Sequence, residues 1–176
     1  GEEISGITGN QTPFMIFFCM WGTDINNIHA VGGEGTYRFH NGKEFQRKDE
    51  LTSEEVSLYG VWGSAIDDVF IVGSHGTILH FDGNEESEWV PMESGTEEYL
   101  LSIWGSSPNN IFAVGDNATI LHYDGKSWRA MDAETDKYLT KVRGLRSDCI
   151  YAVGDDGLVI RFDGKKWNDM SLGEGA

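Results

Sequence analysis

The feature that most constrains the fold of this chain is a unit of about forty residues that occurs four times in register. Each unit contains an apolar segment ending in glycine, a second apolar segment, and an Asp-Gly or Asn-Gly pair. The glycine that ends the first apolar segment falls at Gly32, Gly73, Gly115 and Gly154. A small unit of this kind cannot bury both faces alone, and stacking like units around an axis buries them. The repeat therefore predicts a β-propeller.

Each unit predicts four antiparallel strands, A to D. Strand B is apolar at nearly every position, as in "NIFAVG", which is typical of a strand buried on both faces. Strand D carries more charge, as in "KWNDM", which is typical of an edge strand. No segment has a notable helical pattern. We predict an all-β propeller of four four-stranded antiparallel blades, with a larger or oligomer-completed ring as an open alternative.

The four units also set the expected domain boundaries. Residues 1–16 precede the repeat and are expected to form an N-terminal segment or a closing strand, and an outer strand of a missing upstream blade is the alternative. Residues 17–176 are expected to form the propeller. Its blades are predicted at approximately residues 17–57, 58–99, 100–138 and 139–176. The ring could be completed in three ways: the four blades close alone, two copies of the chain pair, or the chain is part of a longer propeller.

The charge balance restricts the class of partner. The chain has 13 Lys and Arg against 29 Asp and Glu, a formal net charge of −16. Repulsion from phosphates argues against nucleic acid and anionic membrane surfaces. No apolar stretch approaches the roughly 18 residues needed to span a bilayer, so no membrane insertion is expected. Cys19 and Cys149 are too few for a disulfide framework or a cysteine zinc site, and they leave the redox compartment undecided.

Much of the negative charge lies in loops. In a four-stranded blade, the turns between strands B and C and the connections from strand D to the next strand A lie at one end of the propeller. These segments are acidic here, and loop-rich ends usually bind partners. We expect this face to engage a basic protein segment or a divalent cation such as Ca²⁺, unless it is only a solvated surface. The predicted binding residues are Glu34, Glu54, Glu55, Glu97, Glu98, Asp116, Asp155 and Asp156.

Two tryptophan positions and one aspartate position recur between the units. Recurrence at equivalent positions is what packing between blades produces, because each aromatic ring buries a large area there; stacking on carbohydrate is the alternative. An Asp-Gly pair is a strong hairpin signal, and the carboxylate accepts nearby backbone N–H groups. The predicted structural positions are Trp21, Trp62, Trp104, Trp89, Trp128, Trp167, Asp82, Asp124 and Asp163.

The third unit, "WGSSPNNIFAVGDNATILHYDGKSW" from Trp104 to Trp128, resembles a repeat common in bacterial propeller proteins. It is similar to the BNR or Asp-box class, which includes sialidase-type propellers and the photosystem II assembly factor family. Its Asp and Gly are adjacent, whereas an Asp-box usually has a residue between them. The resemblance covers most of the chain. It implies a propeller fold and an extracytoplasmic location (secreted, periplasmic or cell-surface). A homo-oligomer is a separate option, because four blades are few for a closed ring.

Catalytic and metal-binding residues do not follow the repeat. A sialidase-type site needs an arginine cluster, and the arginines here do not recur at equivalent positions. His80 and His122 share a strand C position that Phe39 and Arg161 occupy in the other units, which disfavours a histidine metal site. The glycine-rich turns lead into strands, whereas phosphate loops open helices. We predict a non-catalytic binding or scaffold propeller without cofactor, and a glycan-binding propeller or a glycoside hydrolase-like enzyme as alternatives.

Overall fold

The computed structural model describes residues 16–47, 51–53, 55–83 and 89–171, which form four separate four-stranded antiparallel sheets. The first sheet, blade 1, contains β1 (Phe17–Asp24), β2 (Asn27–Gly32), β3 (Tyr37–His40) and β4 (Phe45–Arg47). Blade 2 contains β5 (Leu58–Ala65), β6 (Asp68–Gly73), β7 (Ile78–Phe81) and β8 (Val90–Pro91). Blade 3 contains β9 (Leu100–Ser107), β10 (Asn110–Gly115), β11 (Ile120–Tyr123) and β12 (Trp128–Ala130). Blade 4 contains β13 (Leu139–Arg146), β14 (Cys149–Gly154), a 3₁₀ turn (Asp155–Gly157), β15 (Val159–Phe162) and β16 (Trp167–Asp169).

Each sheet is a meander in which strands pair in chain order, so the predicted all-β fold with four-stranded antiparallel blades is confirmed. The innermost strands β1, β5, β9 and β13 pack side by side along the row of blades. The expectations for residues 1–15 and for Glu54 lie outside the described residues.

The hydrophobic core lies between the blades. In β10, Ile111 and Ala113 pack with blade 2, whereas Phe112 and Val114 pack with blade 4. Successive side chains of a strand point to opposite faces, and both faces of an inner strand meet a neighbouring blade. This is why strand B is apolar at consecutive positions instead of alternating with polar residues.

Each joint between blades contains a tryptophan that lies on a glycine of the next blade. A β-carbon at Gly105 would lie 2.6 Å from Cη2 of Trp62, closer than real β-carbons approach other atoms. Only glycine leaves room for the ring at this position. The three pairs are Trp21–Gly63, Trp62–Gly105 and Trp104–Gly144.

The second set of tryptophans points in the opposite direction, towards the preceding blade. Trp128 meets Phe70 edge-on with ring centroids 6.2 Å apart, and Trp167 meets Phe112 edge-on at 5.9 Å. Trp89 contacts Tyr37 of blade 1 in the same way, at 5.4 Å. Perpendicular contacts of this kind place the positive edge of one ring against the negative face of the other. The structure thus places both recurring tryptophan sets in joints between blades.

The recurring aspartates lie in the turns between strands C and D. The Oδ1 atom of Asp124 accepts the backbone N–H groups of Lys126 and Ser127 at 3.0 Å each, and these bonds lower the pKa of the carboxyl. Asp163 makes the same two bonds in blade 4. Asp82 occupies the equivalent place in blade 2. The carboxylates at Asp124 and Asp163 therefore hold their turns closed.

A buried histidine lies in the joint between blades 1 and 2. His29 is 3% exposed, its Nδ1 lies 2.9 Å from the Tyr37 hydroxyl, and its Nε2 lies 3.1 Å from Oδ1 of Asn27. Because the Asn27 oxygen can only accept, Nε2 carries the proton and Nδ1 accepts from Tyr37. Burial lowers the pKa of His29 to about 4. The ring is therefore neutral in the folded chain near pH 7.

Stability is expected to fall between pH 6.5 and pH 4 through His29. The unfolded histidine, with its ordinary pKa of 6.5, takes up a proton in this window while the folded one does not, so acid favours the unfolded state. His29→Gln should remove part of this loss, because glutamine does not titrate. Urea midpoints at pH 7 and pH 4.5 measure the difference. The exposed His75 serves as a matched control, and an equal effect of His75→Gln would contradict the assignment.

The row of blades is open at its two ends. Leu58, Leu100 and Leu139, the first residues of β5, β9 and β13, are fully buried against the preceding blade. Their counterpart in blade 1, Phe17, is 47% exposed. Within the described residues, β13 does not pack on β1 as consecutive innermost strands pack on each other. The four described blades therefore form an arc, and the first and last blades do not close on each other.

Candidate functional site: an acidic loop end

The turns between strands B and C lie beside the connections between blades. The backbone N–H of Gly76, in the turn of blade 2, donates to the carbonyl of Glu98 at 2.8 Å, and Gly35 of blade 1 donates to Val56 at 2.6 Å. Glu98 and Val56 belong to the connections that lead into blades 3 and 2. These bonds tie each connection to the turn of the blade that precedes it. Both kinds of acidic segment therefore lie at one end of the arc.

The predicted binding residues are distributed over this end. Glu34, Asp116, Asp155 and Asp156 lie in B–C turns, and Glu55, Glu97 and Glu98 lie in connections. Five of these side chains are exposed and two are half-buried. The exposed ones are Glu34, Glu55, Glu97, Asp155 and Asp156, and the half-buried ones are Glu98 and Asp116.

One of these carboxylates, Asp116, lies within electrostatic reach of two others, Glu98 and Asp155. Partial burial raises the pKa of Asp116, and the negative charges of Glu98 and Asp155 raise it further. The three residues come from three different segments: a connection, the turn of blade 3 and the turn of blade 4. The amide of Asn117, next to Asp116, also donates to Oε1 of Glu98 at 3.4 Å. We call Glu98, Asp116 and Asp155 the acidic cluster. Glu34 and Glu55 belong to blades 1 and 2 and lie further along the arc.

A lysine that the sequence did not single out lies close to the acidic cluster. Lys137, in the connection to blade 4, pairs with Asp156 at 3.6 Å. Both residues line a surface pocket of about 440 Å³, to which Glu134 and Asp169 also contribute carboxylates. The pattern "DAETDKY" contains this lysine but does not indicate its partner, because Asp156 lies in the next blade. The ammonium group offsets part of the negative charge of Asp156.

The divalent cation expected at the acidic end receives no support from side-chain geometry. Across the ranges that the structure describes, no group of three or more His, Cys, Asp or Glu side chains is arranged to hold a metal ion. Cys19 is half-buried in blade 1 and Cys149 is buried in blade 4, and both are free thiols. No helix in the described ranges is long and apolar enough to cross a membrane.

Comparison with known proteins supports the fold class. No protein family model matches the chain, and no curated protein matches it. Among solved structures, YCF48 bound to a D1 peptide matches with a TM-score of 0.70 and 16% identity, over 90% of this chain and 54% of that chain. YCF48 from Cyanidioschyzon merolae matches with a TM-score of 0.63 and 12% identity, over 91% of this chain and 60% of that chain.

A propeller enzyme is also similar in structure. An ancestral GH74 enzyme matches with a TM-score of 0.64 and 14% identity, over 88% of this chain and 25% of that chain. The chain therefore spans little more than half of the two YCF48 structures and a quarter of the enzyme. At these identities the likeness extends to the propeller fold, and the Asp-box relationship suggested by the repeat gains no sequence support.

Proposed function

We propose that this chain is a non-catalytic binding or scaffold propeller whose acidic loop end engages a basic segment of a partner protein. The acidic cluster carries the proposal. Asp116 lies near two carboxylates from separate segments, although its partial burial and the charges of Glu98 and Asp155 raise its pKa. Such a local potential attracts cations and positively charged segments. A lysine- or arginine-rich peptide fits this end because it spreads its charge over several carboxylates.

The similarity to YCF48 bound to a D1 peptide is compatible with this role, since that propeller holds a peptide. The glycan-binding alternative loses its most obvious residues, because the six tryptophans that it would use lie in joints between blades. The GH74 likeness favours no reaction, since function depends on a site and one fold hosts many. We keep the extracytoplasmic location as part of the proposal, and fractionation of producing cells tests it.

Binding of a basic peptide should depend on the acidic cluster and on salt. We expect a fluorescent oligolysine peptide to bind the full chain at low salt and to lose most of its affinity near physiological salt, where exposed charges are screened beyond about 8 Å. The triple variant Glu98→Gln/Asp116→Asn/Asp155→Asn should weaken binding roughly tenfold at low salt, because exposed ion pairs contribute about 0.2–1 kcal/mol each. Fluorescence anisotropy measures both effects.

The control variant removes the same charge from the opposite end. Asp24, Glu44 and Asp67 are exposed and lie in or beside the A–B and C–D turns. The variant Asp24→Asn/Glu44→Gln/Asp67→Asn should leave most of the affinity intact. If both triple variants weaken binding equally, the peptide responds only to net charge and the acidic end is not its site.

A further inference from the structure

The two ends of the arc each lack one half of the Trp–Gly joint, and they lack different halves. Blade 1 retains the glycine of the joint, Gly22, which corresponds to Gly63, Gly105 and Gly144. In the other blades a β-carbon at this glycine would clash with the tryptophan of the preceding blade. At Gly22 the nearest atoms belong to Asn27 and Ile28 of its own blade. Blade 1 therefore has the glycine half of a joint without the tryptophan half.

The outer face of blade 1 has the chemistry of a joint. Phe17 is 47% exposed, Met20 is 64% exposed and Phe45 is 50% exposed. The equivalent residues of blades 3 and 4 are buried against the preceding blade. These equivalents are Leu100 and Leu139 for Phe17, Ile103 and Val142 for Met20, and Trp128 and Trp167 for Phe45. Large apolar side chains are thus exposed at positions that the other blades cover.

The outer face of blade 4 is more basic than that of blade 1. Arg143 stands where the other blades have the tryptophan of the joint, and its guanidinium already donates to the carbonyls of Ile103 and Val142 at 3.2 and 3.0 Å. Lys141 and Arg161 occupy two further positions that correspond to uncharged or histidine residues in blades 2 and 3. Charged residues on an outer face are typical of a terminal repeat. Tyr151 and Val153 are also exposed on this face, at 38% and 39%. Among the described residues, the outer face of blade 4 is therefore partly basic and partly apolar, whereas that of blade 1 is mainly apolar.

We propose that the outer face of blade 1 is a docking surface for a further four-stranded blade, which places a tryptophan from its innermost strand on Gly22. The interface would continue the three joints already present in the arc. A second copy of this chain is a poor occupant, because Trp21, Trp62 and Trp104 are already engaged and its free end offers Arg143. The occupant that fits is a four-stranded blade whose innermost strand offers a tryptophan that is not already engaged.

The docking surface on blade 1 can be tested by adding a second copy of one of the chain's own blades. Residues 58–99 contain blade 2 and its connection, and joining them directly before Phe17 in place of residues 1–16 would set a second copy of Trp62 over Gly22. We expect this extended chain to unfold at a higher urea midpoint than the full chain and to protect Met20 from oxidation by peroxide. Trp→Arg in the added copy of Trp62 should remove both effects. Mass spectrometry of the Met20 peptide reads oxidation independently of stability.

The opposite end supplies the matched control. Residues 93–131, which contain a connection and blade 3, are added after Met170 so that they meet the basic face of blade 4. We expect no gain in midpoint from this extension. The proposal would be overturned if both extensions raised the urea midpoint equally. It would also be overturned if the first extended chain had an unchanged midpoint or left Met20 unprotected. Light scattering of the full chain should give a monomer, and a dimer that Met20→Glu dissociates would assign the face to a second copy instead.

Discussion

Replacing Trp62 by alanine should lower the free energy of unfolding by about 3–5 kcal/mol, the range for truncating a large aromatic ring in a core. The ring fills the joint between blades 2 and 3, and its loss leaves a cavity over Gly105. Gly105→Ala should also destabilise the chain, because the new β-carbon would lie 2.6 Å from the ring. Chemical denaturation of each variant, followed by circular dichroism, gives both values.

The double variant tells whether the two residues act as one contact. In Trp62→Ala the ring is absent, so Gly105→Ala should cost much less there than in the parent chain. Contacting residues typically show such non-additivity by about 0.5–3 kcal/mol. Arg143→Ala is the control at the equivalent position of blade 4. It removes two hydrogen bonds to carbonyl groups but no aromatic ring from a joint, so it should cost much less than Trp62→Ala. Fully additive effects of the two changes would contradict the proposed joint.

Phe112→Ala should destabilise the chain by a similar amount, about 3–5 kcal/mol. Phe112 is fully buried between blades 3 and 4 and contacts Phe162 and Trp167 with ring centroids 5.3 and 5.9 Å away. The change removes both aromatic contacts and leaves a cavity that neighbouring strands cannot readily fill. Urea denaturation measures the loss.

The control for Phe112 is Tyr151, which holds the same strand B position in blade 4. Tyr151 is 38% exposed, because it faces the open end of the arc. Tyr151→Ala should therefore cost much less than Phe112→Ala, within about 1 kcal/mol of the parent, as surface substitutions usually do. A loss at Tyr151 equal to that at Phe112 would mean that the end face of blade 4 is covered in solution.

Local patterns predicted the strands and turns because they arise from local physics. The apolar run of β10 and the Asp-Gly pair before β12 each suffice to indicate a buried strand and a tight turn. The recurrence of tryptophan also indicated packing between blades. It did not indicate the direction of packing. Trp62 lies on the following blade whereas Trp128 lies on the preceding one, and this difference depends on which face of each strand the side chain occupies.

The candidate site was less accessible to prediction. The loop pattern indicated an acidic end, but not that Glu98, Asp116 and Asp155 form its cluster. Glu98 and Asp116 come together where the connection into blade 3 meets the turn of that blade, and Asp155 joins them when blade 4 packs on blade 3. The pairing of Lys137 with Asp156 was missed for the same reason. The low pKa of His29 was also missed, since it arises from burial in a joint rather than from neighbouring residues.

By itself, the sequence determined the blade: a repeat of about forty residues, four antiparallel strands per unit, and hairpin turns closed by aspartate. These features depend on residues close in the chain, whose conformational preferences and hydrogen bonds are local. The tertiary structure decided which carboxylates share one electrostatic environment and which joint faces are filled. Those properties depend on side chains about one repeat apart, and only the stacking of complete blades brings such side chains into contact.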